Sequence, residues 1–183
     1  MGASIEVGDL ARAAAAGDPH GWNGLVERFG ALVWSTARAY GLGPDAGADA
    51  AQTTWLRLAE QLDRLQDQHD RLGVWLAATA RRESLRLLRA GGAEEAVAPY
   101  PAMRAEPSGH EREAQLWRLV RDLPEDCRRL LRILSTVPAP SQEEMAAALD
   151  LPVARVPAAR AACLIDFHHR MATIGIKADA DDS

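Results

Sequence analysis

Three arginines, Arg82, Arg86 and Arg89, are spaced by four and three residues in the stretch Trp75-Leu-Ala-Ala-Thr-Ala-Arg-Arg-Glu-Ser-Leu-Arg-Leu-Leu-Arg89. On a helix that spacing puts all three on one face, leaving Leu76, Ala80 and Leu87 for another. Guanidinium groups bind phosphate through planar, paired hydrogen bonds. A helix with one apolar face and one arginine face suits a phosphate backbone. A second set lies further on: Arg155, Arg160, His168, His169 and Arg170 are the groove-facing candidates of a helix that follows a short capped helix and a turn. Arginine stripes are more often solvated helix surface, and helical hairpins also occur in plain bundles. Neither feature alone defines a DNA reader.

Other chemistry is poorly supported. Cys127 and Cys163 are far apart, and the five histidines do not cluster with them. A Cys/His metal site needs close ligand pairs. No metal and no cofactor is expected, and both cysteines read as small buried apolar residues. There is no paired-carboxylate setting, nucleophile motif or glycine-rich phosphate loop, so an enzyme with a small-molecule substrate is not expected. No apolar run approaches the roughly 18 residues of a membrane span. The opening MGASIEVGDL lacks a basic segment followed by an apolar one, so no secretion signal is expected. The expectation is a cytoplasmic protein without direct membrane insertion.

The net charge of −5 argues at first against nucleic acid. Its distribution says more. Residues 1–90 hold ten Arg against eleven acids, and residues 113–171 hold eight against eight. The acidic excess lies between these stretches and in the tail, so each half can carry a local basic face. Lys177 is the only lysine among 21 basic residues, a bias that a GC-rich genome also produces.

Helical periodicity positions these groups. A first helix spans about Ile5 to Ala16 and stops at Gly17-Asp18-Pro19. The second starts at Pro19 and runs to about Tyr40, burying Trp22, Leu25, Val26, Phe29, Leu32, Val33 and Ala37. Asp45 is a candidate N-cap for a third helix reaching Leu65, with Ala51, Trp55, Leu58 and Leu62 inside. Gln66 to Asp70 reads as an exposed polar loop, and a fourth helix covers about Leu72 to Arg89. The tryptophans mostly fall on inner faces, with Trp75 also placed where an unpaired base could stack. Residues 92–111 are rich in Pro, Gly, Ala and Glu without apolar periodicity and read as a linker. Beyond it, helices are expected from about Arg112 to Arg121 and from Pro124 to Thr136. A short helix behind the capping box Ser141-Gln-Glu-Glu144 follows, then one from about Val153 to Met171. Residues 172–183 read as a disordered acidic tail. The expected fold class is all-α: two small helical domains, 1–91 and 112–171, joined by a flexible linker, the second ending in a helix-turn-helix.

These strings resemble a known family. Trp22-x-x-Leu-Val-Glu-Arg-Phe29, Leu32-Val-Trp-Ser-x-Ala-Arg38, Asp49-Ala-Ala-Gln-Thr-Thr-Trp-Leu-Arg-Leu58 and Trp75-Leu-Ala-x-Thr-Ala-Arg-Arg-Glu83 are similar to region 2 of sigma-70-family factors, above all the short extracytoplasmic-function group. Leu123-Pro-x-x-Cys-Arg-Arg-Leu-Leu-Arg132 and the helix-turn-helix after it resemble region 4. The resemblance implies roles. The helix carrying Asp49, Gln52, Thr53 and Leu56 would dock on core RNA polymerase. The loop at Gln66, Asp67, Gln68, His69 and Arg71, with Trp75, Thr79, Arg82 and Arg86, would capture the −10 element of promoter DNA. Arg155, Ala158, Ala159, Arg160 and His168 would read the −35 element. An anti-sigma factor is a further expected partner, and the subunit itself would catalyse nothing.

The last helix departs from the family pattern. Ala162 stands where relatives usually carry another Arg or Lys, Pro157 falls in the first turn, and Ala158, Ala159 and Ala161 offer little hydrogen bonding. Few charge-assisted contacts imply weak −35 affinity with a shallow salt dependence. Two alternatives therefore stay open: a free-standing helix-turn-helix regulator, and a sigma-like interaction module with weakened DNA reading.

Overall fold

The computed structural model describes residues 6–91 and 118–173, without the side chains of Gln66 and Asp67. Every regular element in these residues is helical. The expected linker, the start of the helix expected at Arg112, Trp117 and the acidic tail lie outside the described residues, apart from 118–122, which are helical, and Ala172 and Thr173, which close the final helix.

Helix α1 spans Val7–Ala15 and α2 spans Pro19–Ala39. Between them Gly17 adopts a positive φ of 82°, which costs glycine little. The Asp18 side chain accepts from the His20 N–H and caps α2. Helix α3 spans Pro44–Leu65. Asp45 therefore lies inside the first turn and is not the cap: Pro44 opens the helix at no hydrogen-bonding cost, and the acid faces the positive helix end. A 3-10 turn, Gln66–Arg71, leads into α4, Leu72–Arg89. The expected irregular loop is thus a tight helical turn, kinked at Gln68.

The core of this half is Leu25, Phe29, Leu32 and Val33 from α2, Leu58 and Leu62 from α3, and Leu72, Leu76, Ala77 and Ala80 from α4. Val26 and Trp34, expected inside, are 47% and 44% exposed. The long α2 helix buries only one stripe, and these two residues fall beside it. Ser84 Oγ lies 3.2 Å from Ala37 O and 2.8 Å from Ala80 O, pinning α4 to α2.

The second half comprises α5 (Glu125–Leu134), α6 (Gln142–Leu149) and α7 (Val156–Thr173), the last preceded by a 3-10 turn, Val153–Arg155. Pro124 stands just before α5 at its N-cap position, and α5 ends at Leu134, short of the expected Thr136. The Ser141 capping box forms with both of its bonds: Glu144 N–H donates to Ser141 Oγ (3.2 Å) and Ser141 N–H to Glu144 Oε2 (2.7 Å). Asp150 ends α6 in the left-handed region, φ 59°. Cys127 and Cys163 are buried as expected, but they are not separate apolar residues: a disulfide joins them. A separation of 36 positions gives no hint that α5 and α7 bring these residues side by side.

The two halves share one core. Ile133, Met145, Ala146, Ala148 and Val156 pack into the same apolar cluster as Leu25, Phe29 and Leu76. Helix α6 lies on α4, and α5 lies on α2.

Candidate polymerase and nucleic-acid interfaces

On α3 the inner stripe is Gly47, Ala50, Thr54, Leu58 and Leu62. Ala51 and Trp55 are only partly buried. Thr54 donates its hydroxyl to Ala50 O at 2.8 Å, so it stays in the core without an unpaired group. The opposite face carries Asp49, Gln52 and Leu56, all exposed, with Thr53 half-buried beside them. Their spacing of three and four aligns them along one side of the helix. Leu56 is 58% exposed, an apolar side chain framed by polar ones.

The 3-10 turn is held from below. His69 is half-buried against α1, and a Cβ on Gly8 would lie 2.7 Å from its imidazole. Gln68, Asp70 and Arg71 are exposed around it. Trp75 is half-buried against the core, leaving part of its ring open. Thr79 is buried, and its oxygen accepts from Arg82 Nη2 at 3.0 Å. Arg82, Arg86 and Arg89 form the expected exposed face of α4. Arg86 is not a loose cation: its Nε donates to Glu83 Oε2 at 2.7 Å, while Arg57 from α3 reaches Glu83 Oε1 at 2.9 Å. Buried Glu83 thereby couples α3 to α4 and orients Arg86. Sequence reasoning gave Glu83 no role; the signal was a lone acid on the apolar side of an arginine-rich helix.

Arg155, in the turn before α7, and Ala158, Arg160 and His168 on α7 are exposed, and Ala159 is half-buried. The helix starts at Val156, so Pro157 sits in its first turn, where a missing N–H is harmless. Ala161, Ala162 and Ile165 are exposed as well, so this surface is largely apolar with isolated cations.

A contact unforeseen from sequence joins the halves. Tyr40, at the end of α2, donates its hydroxyl to Ala148 O at 2.6 Å. Ala148 lies in the last turn of α6, where carbonyls lack helical partners. The Arg129 guanidinium stands 4.7 Å from the Tyr40 ring centroid. Burial pushes the Tyr40 phenol above its ordinary value of 10.0, and Arg81 and Arg129 partly offset that rise. A cleft of about 640 Å³ opens between Arg71 and Ala78 on one side and Ser141 and Leu151 on the other. Among the described residues, no group of three or more His, Cys, Asp or Glu is placed to hold a metal ion, and no helix is long and apolar enough to cross a membrane.

Residues 25–94 match the family model for sigma-70 region 2. The first half of the chain is thus similar to sigma-70-family factors. The match takes in α3 with its outward face, the 3-10 turn and the arginine face of α4, so the resemblance read from the residue strings holds for the first half. The whole fold is similar to that of CnrH, solved in complex with the cytosolic domain of CnrY. That likeness has a TM-score of 0.60 at 22% identity and covers 93% of this chain and 98% of that one. It is a likeness of fold, and it extends over both halves of this chain. No curated protein matches the sequence.

Proposed function

We propose that this chain is a transcription initiation factor of the extracytoplasmic-function group, which binds core RNA polymerase and directs it to promoters. The observation that carries this reading is the outward α3 face inside the region 2 match: Asp49, Gln52 and Leu56 exposed in line, opposite a fully buried stripe. A surface leucine flanked by polar groups is a suitable centre for a protein contact.

The DNA-reading role follows from the same half. Gln66, Asp67, Gln68, His69 and Arg71 would receive unpaired bases of the −10 element, with Trp75 offering a stacking face. Arg82 and Arg86 would meet the phosphates, each pre-oriented by a neighbour on α4. Opening the duplex is then a binding reaction in which flipped bases lose stacking and gain contacts in the protein. No bond is made or broken by the subunit. The second half, residues 112–171, would lie as a region 4 domain at the −35 element through Arg155, Ala158, Ala159, Arg160 and His168. The linker, residues 92–111, would let it separate from the first domain, residues 1–91. Working on polymerase places the chain in the cytoplasm. Because CnrH was solved with a bound protein domain, we infer an anti-sigma protein as the regulatory partner.

A second reading has an observation of its own. The exposed run Ala158, Ala161, Ala162 and Ile165 on α7 favours a chain in which the second half contacts protein more than DNA. A pull-down of core polymerase tests the main reading. Wild type retains core, and the double variant Asp49→Ala with Gln52→Ala loses it. A folded wild-type chain that retains no core overturns the proposal. Run-off transcription from −35-deleted promoters separates the two readings.

A further inference from the structure

The disulfide between Cys127 and Cys163 joins α5 to α7, with Cα atoms 5.3 Å apart and a sequence separation of 36. The closed loop contains the end of α5, all of α6, the turn and the start of α7. Helix α7 needs that tie. Of its 18 residues only Val156 and Cys163 are buried. Val156 fixes the helix start in the shared core, and Cys163 fixes its middle. What remains is light: partly buried Ala159 and Phe167, and Arg170 Nη1 reaching Asp122 O at 3.3 Å. A cavity of about 560 Å³ opens along both cysteines between Leu130, Leu151 and Ala162, so the bond faces an entry path.

We propose that Cys127 and Cys163 form a reversible redox site, which holds α7 against α5 when bridged and releases it when reduced. This rests on the polymerase reading, because that partner implies a reducing compartment. There a protein disulfide is the exception, and one that forms is usually a sensor or a catalyst. The exchange partner is a low-molecular-weight disulfide. One cysteine thiolate attacks it and expels a small thiol; the second thiolate then displaces the other small thiol from the mixed disulfide. The two protein thiols lose two protons and two electrons, and the small disulfide gains both as two thiols. Reduction removes the covalent tie and makes the two sulfurs part. Unbonded heavy atoms rest about 3.5–4 Å apart, so two thiols cannot keep the positions of a bonded pair. The freed loop also regains chain entropy.

The test equilibrates the full-length chain in mixtures of reduced and oxidised glutathione. Thiols are trapped by alkylation, and hydrogen exchange is followed by mass spectrometry. The pair should convert between bridged and reduced forms within the range that glutathione sets. Peptides from α7 should exchange at least about tenfold faster in the reduced form, while α2 and α4 stay unchanged. Cys163→Ser should match the reduced wild type at every ratio. A pair that never bridges, a bridge that persists in excess reduced glutathione, or equal α7 exchange in both forms overturns the proposal. Core-polymerase retention is measured on both forms in parallel. Retention by neither removes the polymerase reading, whereas the exchange data judge the switch itself.

Discussion

The Arg81 guanidinium lies 2.6 Å from the Asp150 carboxylate, tying the middle of α4 to the left-handed residue that ends α6. Arg81 is 18% exposed and Asp150 73%, so water screens the acid well and the pair contributes under about 1 kcal/mol. Asp150 also carries a backbone conformation that most residues resist, by about 1–2 kcal/mol. Asp150→Asn tolerates that conformation and loses only the charge. Its expected destabilisation in urea is under about 1 kcal/mol and vanishes in high salt. Asp150→Ala should cost more, and the excess should survive salt. Equal, salt-sensitive losses in both variants would show that the ion pair, not the turn, dominates.

Gly73 marks a close approach of α4 to α6. A Cβ there would collide with the Glu144 carboxylate and lie 2.8 Å from Phe29 Cε1. Glu144 cannot simply swing away, because it completes the Ser141 capping box. Gly73→Ala is expected to dislodge that cap and destabilise the docked second half by about 1–2 kcal/mol, despite alanine's better helix propensity. Hydrogen exchange at α6 reports it. Wild-type protection of α6 in the Gly73→Ala variant would mean that the cap is dispensable.

Tyr40 predicts an alkaline limit. Its neutral hydroxyl donates to Ala148 O, and burial raises its pKa above 10.0. The unfolded chain then releases this proton at a lower pH than the folded one. The tyrosine's stabilising contribution is complete below pH 10.0 and is lost as pH rises through the higher folded value. Tyr40→Phe should cost about 0.5–1.5 kcal/mol at neutral pH and flatten the alkaline fall. Thermal melts of both proteins across that range check the sign. A variant that falls as steeply as wild type assigns the alkaline loss to other groups.

The proposed function requires the halves to part. The −10 and −35 elements lie about 25 base pairs apart, which at 3.4 Å per base is roughly 85 Å. Helices α4 and α6 are in contact, so the docked form cannot place both reading surfaces at once. Fluorophores on Arg89→Cys of α4 and Glu143→Cys of α6, in a chain with Cys127 and Cys163 replaced by alanine, should show high energy transfer alone and low transfer in a polymerase–promoter complex. Unchanged transfer in an active complex would exclude reading of both elements by one chain.

Much of this was legible because both halves follow strong local rules. Pro19, the glycine at 17, the 3,4 spacing of Leu25, Phe29 and Leu32, and the Ser141 capping box each act within a turn or two of chain. The outward placement of Asp49, Gln52 and Leu56 is a matter of register along one helix. What escaped depends on chain-distant neighbours. Tyr40 and Ala148 meet across 108 positions, Cys127 and Cys163 across 36, and no local pattern encodes either meeting. Trp34 misled for the converse reason: a large ring favours the interior on average, yet here it lies outside the buried stripe, 5.9 Å from the Arg38 guanidinium.

Because Ile133, Met145 and Val156 are buried among Leu25, Phe29 and Leu76, separating the halves wets apolar surface on both. Hydrating such surface raises heat capacity, and the force that resists it weakens as water cools. The balance between the docked and extended forms is therefore set partly by temperature. Cooling alone moves the chain toward the extended form, and warming within the folded range draws the two halves together.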